Sequence, residues 1–506
     1  MVGRMTSTSS DDAGKTPGDG TARDDRSDTP PAPTDDLVTT QHTLATREST
    51  LHYTAQTGRM VLREEQVTDE TFDGHIPKAE VFLTAYTLDG ADPEHRPVTF
   101  AFNGGPGSSS VWLHLGVLGP RLAVSGDVGA PEPPPYGLTD NAESLLEHSD
   151  LVFIDPVSTG YSRAAQGKKP KEYHGFTADI ASVGEIIRLW VTRNGRWLSP
   201  KFLAGESYGT VRAAGLAEHL QTKYGMYLNG LMLLSSVVDF GTQFFTEGND
   251  LAYALYVPTY AAIAHYHGLH PDRELAELLA EAEEFASGDY LWALARGSRL
   301  TTEQRADIAA RLARLTGLST DYTERVNLRV EHLRFFTELL RHRRLVVGRL
   351  DSRFTGAEAD YGLERMSSDP SFSAIYGPYA AALNHYVRAE LGYENDLPYE
   401  ILSFGVNSSW SYSEFENSHV TVSDKLSAAM RANPHMKLHV AFGYYDGATP
   451  YYAAEHALAH LAVPDELLDN ISRAYYPAGH MMYVHEPSRL QQSADLKEFV
   501  RSSSNR

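Results

Sequence analysis

Ser207 lies in the segment KFLAGESYGTVRAAGLAEHL, with Gly205 and Gly209 two positions to either side. The pattern is G-x-S-x-G, with an apolar run before it and helical spacing after it. A serine hydroxyl is a poor nucleophile at neutral pH and needs a histidine base, itself oriented by a carboxylate. Where a strand turns sharply into a helix, small neighbours let the backbone pass and leave the serine at the helix N-terminus. There the N–H of the next residue, Tyr208, can face a developing oxyanion. The chemistry this predicts is acyl transfer through Ser207. The glycine pattern alone also marks plain loops, so the strand before it and the helix after it carry the weight.

A nucleophile of this kind is followed along the chain by its acid and then its base. MKLHVAFGYY leads into Asp446 and Gly447, and ISRAYYPAGH leads into His480 directly after Gly479. In isolation Asp446 reads as a turn aspartate and His480 as a loop histidine. Their succession after two late apolar runs makes them the candidate acid and base. FNGGPGSSS, at 102–110, follows an earlier apolar run. Its consecutive Gly104 and Gly105 allow the close backbone approach that a second oxyanion donor needs. It is not a phosphate loop, because the lysine and hydroxyl of such loops are missing.

Several elements must position these residues. PVTFAFN at 97–103, DLVFID at 150–155, KFLAG at 201–205 and LNGLMLLSS at 228–236 have the form of strands covered on both faces. Between them, FTADIASVGEIIRLWVTRN and VRAAGLAEHLQTKYG carry apolar residues at helical spacing. The alternation predicts an α/β fold with a mostly parallel sheet and flanking helices, opened by an antiparallel pair in LHYTAQ and AEVFLTAYTL. Near 240 it gives way to helical segments, among them TTEQRADIAARLARLTG, with Thr301 and Gln304 as a capping box and Gly317 as a stop. Strand texture returns at 436–447 and 471–480. The expected organisation is a catalytic core over 46–240 and 395–506, a helical cap over 241–394, and a low-complexity tail over 1–45 with little to bury.

Hydrophobic residues make up 42% of the 506 and charged residues 22%, an ordinary globular balance. The formal net charge of −22 repels phosphate backbones and anionic membranes, so neither nucleic acid nor membrane is expected as a partner. Zero cysteines exclude disulfides, thiolate metal sites and a cysteine nucleophile. No metal or other cofactor is expected. His265, His267 and His270 lie close together without the frame of a metal site. The first 36 residues contain no apolar stretch suited to a secretory signal, and a cytoplasmic protein is the simplest expectation. The oligomeric state is left open.

FNGGPGSSS with GVLGP, IDPVSTGYS, AGESYG, and the pair FGYYDGATP and YPAGHMMY together resemble the serine carboxypeptidase family, over most of residues 50–500. The resemblance implies an α/β-hydrolase fold with Ser207, Asp446 and His480 as triad. It implies an oxyanion hole from the N–H groups of Gly105 and Tyr208. It further implies that Asn103, the Gly104 backbone and Glu206 hold the free carboxylate of a peptide substrate. A glutamate can hydrogen-bond to that carboxylate only if one of the two carries a proton, so peptidase activity is expected to favour acidic pH. Two departures stand out. Val117 occupies the place of a second clamp glutamate found in many eukaryotic members, and Ser108 replaces the cysteine usual after NGGPG. The loss at Val117 keeps an esterase, amidase or acyltransferase as the alternative, with a non-catalytic binding protein behind it. VVGRLDSRFTG at 346–356 and SYSEFENSHV at 411–420 echo the bacterial branch of the family, and the sequence assigns them no role beyond packing.

Overall fold

The computed structural model describes residues 32–504. Nine strands form the path of one mixed sheet: β1 Val38–Ala45, β2 Thr50–Thr68, β3 Thr71–Leu88, β4 Val98–Phe102, β5 Asp150–Ile154, β6 Lys201–Glu206, β7 Gly230–Leu234, β8 Lys437–Gly443 and β9 Ile471–Tyr476. A two-residue strand at Arg163–Ala164 pairs with β3 as a tenth. The spatial order is β1-β2-β3-β5-β4-β6-β7-β8-β9. The leading strands pair antiparallel up to the β3–β5 junction. From β5 to β9 every pairing is parallel.

Strands β4 to β7 are buried along their whole length, because both faces of the sheet are covered. Helices α1 (Phe176–Arg193) and α2 (Tyr208–Tyr224) cover one face, where Ile187 and Trp190 share a core with Phe100 and Leu203. The neighbouring residues Phe202 and Ala204 point the other way, into a second core with Leu496, Phe499 and Val500. That side is closed by the last described helix, Glu486–Ser504. Each such side chain contributes about 1.5–3 kcal/mol on full burial, so the two layers fix the central strands.

Between β7 and β8 the chain is mainly helical, including α3 (Val257–Tyr266), α4 (Leu275–Phe285), α5 (Thr302–Thr316), α6 (His332–Glu338) and α7 (Pro370–His385). The α5 cap forms as its sequence dictates: the Thr301 hydroxyl accepts from the Gln304 N–H, Gln304 accepts from the Thr301 N–H, and Gly317 closes the helix at φ 73°. A small hairpin pairs Val346–Val347 with Thr355–Gly356. The chain rejoins the sheet layers at α8 (Ser423–Ala432), which packs on α2, and not at 395. Residues between those points run across the C-terminal edge of the parallel strands, where Leu402 bridges to Ser108 and Ser411 to Gly175.

The tail boundary at 45 also needs correction. Val38–Ala45 is a strand whose alternate residues turn inward along β2, ending in buried Leu44. Its Thr-rich composition resembles loop sequence, but β-branched residues suit a strand, and the alternation of burial along it is that of an edge strand. Just before it, Asp36 pairs with Arg59 and Asp35 with Arg193. Residues 1–31 of that expected tail lie outside the described residues. No helix among the described residues is long and apolar enough to cross a membrane.

Candidate active site

Parallel strands share one C-terminal edge, and ligands of open α/β sheets bind beyond it. The loops leaving β4, β6, β8 and β9 all emerge there. They carry, in turn, Asn103 to Gly105, Ser207, Asp446 and His480.

Ser207 stands between β6 and α2 with φ 59° and ψ −128°, a conformation that L residues rarely adopt. The elbow is over-determined by its neighbours. The Ser207 N–H donates to the Leu234 carbonyl at 3.0 Å, and the Thr210 hydroxyl donates to the Ser207 and Val237 carbonyls. A Cβ at Gly205 would collide with the Gly209 carbonyl group, and one at Gly209 would lie 2.7 Å from the Phe102 oxygen. Both flanking glycines are therefore required by packing. Ser207 remains partly exposed while Glu206 and Tyr208 on either side are buried.

Asp446 is fully buried and accepts the N–H groups of Ala448 and Thr449, at 2.8 and 2.9 Å, on Oδ1. Its Oδ2 accepts the Thr449 hydroxyl at 2.6 Å and meets His480 Nδ1 at 2.8 Å. Burial alone would lower the basicity of His480. The charge and hydrogen bond of Asp446, with Glu206 adding, outweigh it and hold the imidazole above its ordinary value. His480 is fixed through its backbone as well, its carbonyl accepting the Ser235 hydroxyl at 2.6 Å.

The glycine loop presses against the elbow. A Cβ on Gly104 would lie 2.7 Å from the Gly209 nitrogen and closer still to that of Tyr208, so Gly104, with Gly105 next in the chain, stands beside the first N–H of α2. That N–H has no intrahelical acceptor. Asn103 is locked from both ends, accepting the Leu113 N–H on Oδ1 and donating to Glu206 Oε1 at 2.8 Å. Underneath, Arg212 joins the Asn103 carbonyl at 2.5 Å to Asp179 at 2.7 Å in a buried ion pair. The second oxygen of Glu206 and the Tyr483 hydroxyl are both buried outside good hydrogen-bond geometry, yet near enough for the tyrosine to lower the carboxyl slightly against the effect of burial. Burial pushes the Glu206 carboxyl up to about 7.

Asn103, Gly104, Gly105, Glu206, Ser207, Thr449 and His480 line one open cavity of about 630 Å³. Trp112 lines it too, held by its ring N–H on the Ser108 hydroxyl at 2.9 Å. Every candidate named from the sequence is thus gathered at this edge except Val117, which is buried off the cavity. The IDPVSTGYS motif supports from behind: Asp155 accepts the Ser110 N–H and hydroxyl and the Tyr399 hydroxyl. His265, His267 and His270 each bond a different backbone carbonyl.

Sequence reasoning missed the role of VVGRLDSRFTG. The Arg349 carbonyl accepts the Gly447 N–H at 3.0 Å, the Leu350 carbonyl accepts the His480 N–H at 2.6 Å, and the Ser352 N–H donates to the Tyr445 carbonyl. One cap loop therefore ties together the loops of Asp446 and His480. It is braced by Asp369, whose carboxylate accepts the N–H groups of Arg349 and Leu350, and by a buried Asp351–Arg353 pair. These are mostly backbone bonds, which leave little trace in residue types beyond the turn-like Gly and Asp.

The profile of the serine carboxypeptidase family matches residues 78–466, a span that ends before His480. Among solved structures, Kex1(Δ)p, a prohormone-processing carboxypeptidase from Saccharomyces cerevisiae, is 15% identical over 90% of this chain and 91% of its own, with a TM-score of 0.53. A proline iminopeptidase from Mycobacterium smegmatis is 13% identical over 88% of this chain and 98% of its own, with a TM-score of 0.37. No curated protein matches the sequence significantly. At such identities a structural likeness bears on the fold alone, whereas the family match covers more than half of the chain. The chain belongs to the serine carboxypeptidase family and has the α/β-hydrolase fold.

Proposed function

We propose that this enzyme hydrolyses the C-terminal peptide bond of peptides through an acyl-enzyme on Ser207. The observation that carries the reading is the 2.8 Å bond from buried Asp446 to His480, whose ring opens on the same cavity as Ser207. Asp446 fixes the tautomer with the proton on Nδ1, which leaves Nε2 to accept the Ser207 proton as Oγ attacks the scissile carbonyl. The N–H groups of Gly105 and Tyr208 stabilise the resulting oxyanion. His480 then passes its proton to the departing amine, the C–N bond breaks, and the acyl group stays on Ser207. Water, deprotonated by His480, attacks the ester and releases the shortened peptide.

Glu206 gives the reading its exopeptidase character. A carboxyl that ionises only near pH 7 is protonated in mild acid, and it is then able to donate a hydrogen bond to a substrate carboxylate. Val117 in place of a second clamp carboxyl favours esters or amides as the second class of substrate.

The test is release of the last residue from an N-blocked dipeptide, beside its C-terminal amide and a matched ester, with Ser207→Ala as control. The expected result is cleavage of the free acid that gains on the ester toward the acid end of the range in which His480 still accepts a proton, and that is lost by several orders of magnitude in the variant. Turnover of the ester alone would refute the carboxypeptidase assignment, and turnover surviving in Ser207→Ala would refute the nucleophile.

A further inference from the structure

The cap loop that ties the two triad loops together also delivers a charge. Arg349 is the one Lys or Arg side chain among the residues lining the cavity, where the other ionisable groups are Glu206, Asp369 and His480. Its surroundings leave it available. Among the described residues the Arg349 guanidinium makes no ion pair and no hydrogen bond, in contrast to Arg353 four residues on, which is buried and bonded at both Nε and a terminal nitrogen to Asp351. Asp369, the nearest acidic group in the sequence of the wall, is already occupied. Its two oxygens take the N–H groups of Arg349, Leu350 and Ser371 and the Ser371 hydroxyl.

The charge acts on buried groups around it. His332 of α6 is driven down to about 3 by burial first and by Arg349 next. Burial raises Tyr256 while Arg349 opposes it. On His480 the same guanidinium acts against Asp446 and Glu206. Arg349 stands on the cavity side of the cap loop, in the same wall as Leu333 of α6 and His480. The loop cannot easily withdraw it, since the Arg349 backbone is held at N by Asp369 and at O by the Gly447 N–H.

An unpaired guanidinium in a half-enclosed cavity is a ready fork for a carboxylate. Its presence answers a physical difficulty. The chain carries a net charge of −22, the cavity holds two acidic groups, and the second clamp glutamate is a valine, so beyond the hydrogen bonds of the Asn103–Glu206 clamp a carboxylate ligand meets no other Lys or Arg among the lining residues. We propose that Arg349 is a substrate-carboxylate-binding residue of this cavity, pairing with either the C-terminal carboxylate or an acidic side chain of the peptide. The inference rests on the carboxypeptidase reading for its ligand, but binding alone tests it.

The test uses full-length Ser207→Ala protein, so that peptides bind without turnover, with and without Arg349→Met. Calorimetry gives the Kd of an N-blocked dipeptide ending in alanine, of its C-terminal amide, and of the amides of the Glu- and Gln-terminated peptides. Loss of a charge-assisted pair weakens binding by about 10- to 100-fold. Such a loss for the alanine acid and not its amide identifies the C-terminal carboxylate as the partner; a loss for the Glu amide and not the Gln amide identifies the side chain. Arg349→Lys should recover part of either loss, because it restores the charge without the fork. Equal affinity of the two proteins for every carboxylate-bearing peptide overturns the proposal. So does an equal loss for peptides that carry no carboxylate, or no binding of any acid. Failure of the serine mechanism would show separately, as hydrolysis unaffected by Ser207→Ala in the otherwise unaltered enzyme.

Discussion

Replacing Glu206 with glutamine removes one buried carboxyl and keeps its shape, with two measurable consequences. The first concerns stability. Glu206 moves from 4.5 to about 7 on folding, chiefly because burial disfavours its charge. A displacement of that size corresponds to roughly 3 kcal/mol between the two protonation states. For an acid whose folded value is raised, the favourable contribution is complete below the unfolded value and is lost as pH rises through the folded one. The natural protein should therefore lose roughly 3 kcal/mol relative to Glu206→Gln between about pH 4.5 and about pH 8. With about 2.1 cal/mol/K of unfolding entropy per residue, this amounts to a change of about 3 °C in the Tm difference. The second consequence concerns the base. Asp446 and then Glu206 raise His480, so loss of the Glu206 charge lowers it and moves the acid limb of ester hydrolysis to lower pH. Thermal unfolding of both proteins from pH 5 to 8, with ester kcat/KM over the same range, measures both. Parallel Tm profiles together with an acid limb that stays in place or moves upward would refute the reasoning about this carboxyl.

Thr449→Val deletes the hydroxyl that donates to Asp446 Oδ2 at 2.6 Å while keeping the shape, and should lower kcat about 5- to 20-fold with little change in KM; an unchanged kcat would show that the two N–H groups suffice. Arg212→Met strands Asp179 without its buried partner and frees the Asn103 carbonyl, so chemical denaturation should show a loss of about 3–5 kcal/mol. Recovery in Arg212→Met with Asp179→Leu would separate the stranded charge from the lost support of the glycine loop.

Much of the site was legible because its chemistry constrains residue types at short range. The elbow requires Gly205 and Gly209, since backbone atoms occupy the space that their side chains would need. Strands covered on both faces must be continuously apolar, which is why β4 to β7 stand out from their surroundings. The edge strand β1 was concealed by composition, because the Thr, Gln and His at its exposed and half-exposed positions are also loop residues. Its pairing with β2, not its own polarity, makes it a strand.

The sequence by itself determined the parallel α/β core and singled out Ser207, Asp446 and His480, in that order, as the candidates for acyl transfer, because period, turn chemistry and chain order are local properties. Only the tertiary structure decided which distant groups share an environment. The burial that raises Glu206, the Arg212–Asp179 pair beneath Asn103, and the cap loop holding the Asp446 and His480 loops all join segments far apart in the chain. Desolvation and backbone hydrogen bonding depend on what surrounds an atom in space, and no spacing along the chain encodes that.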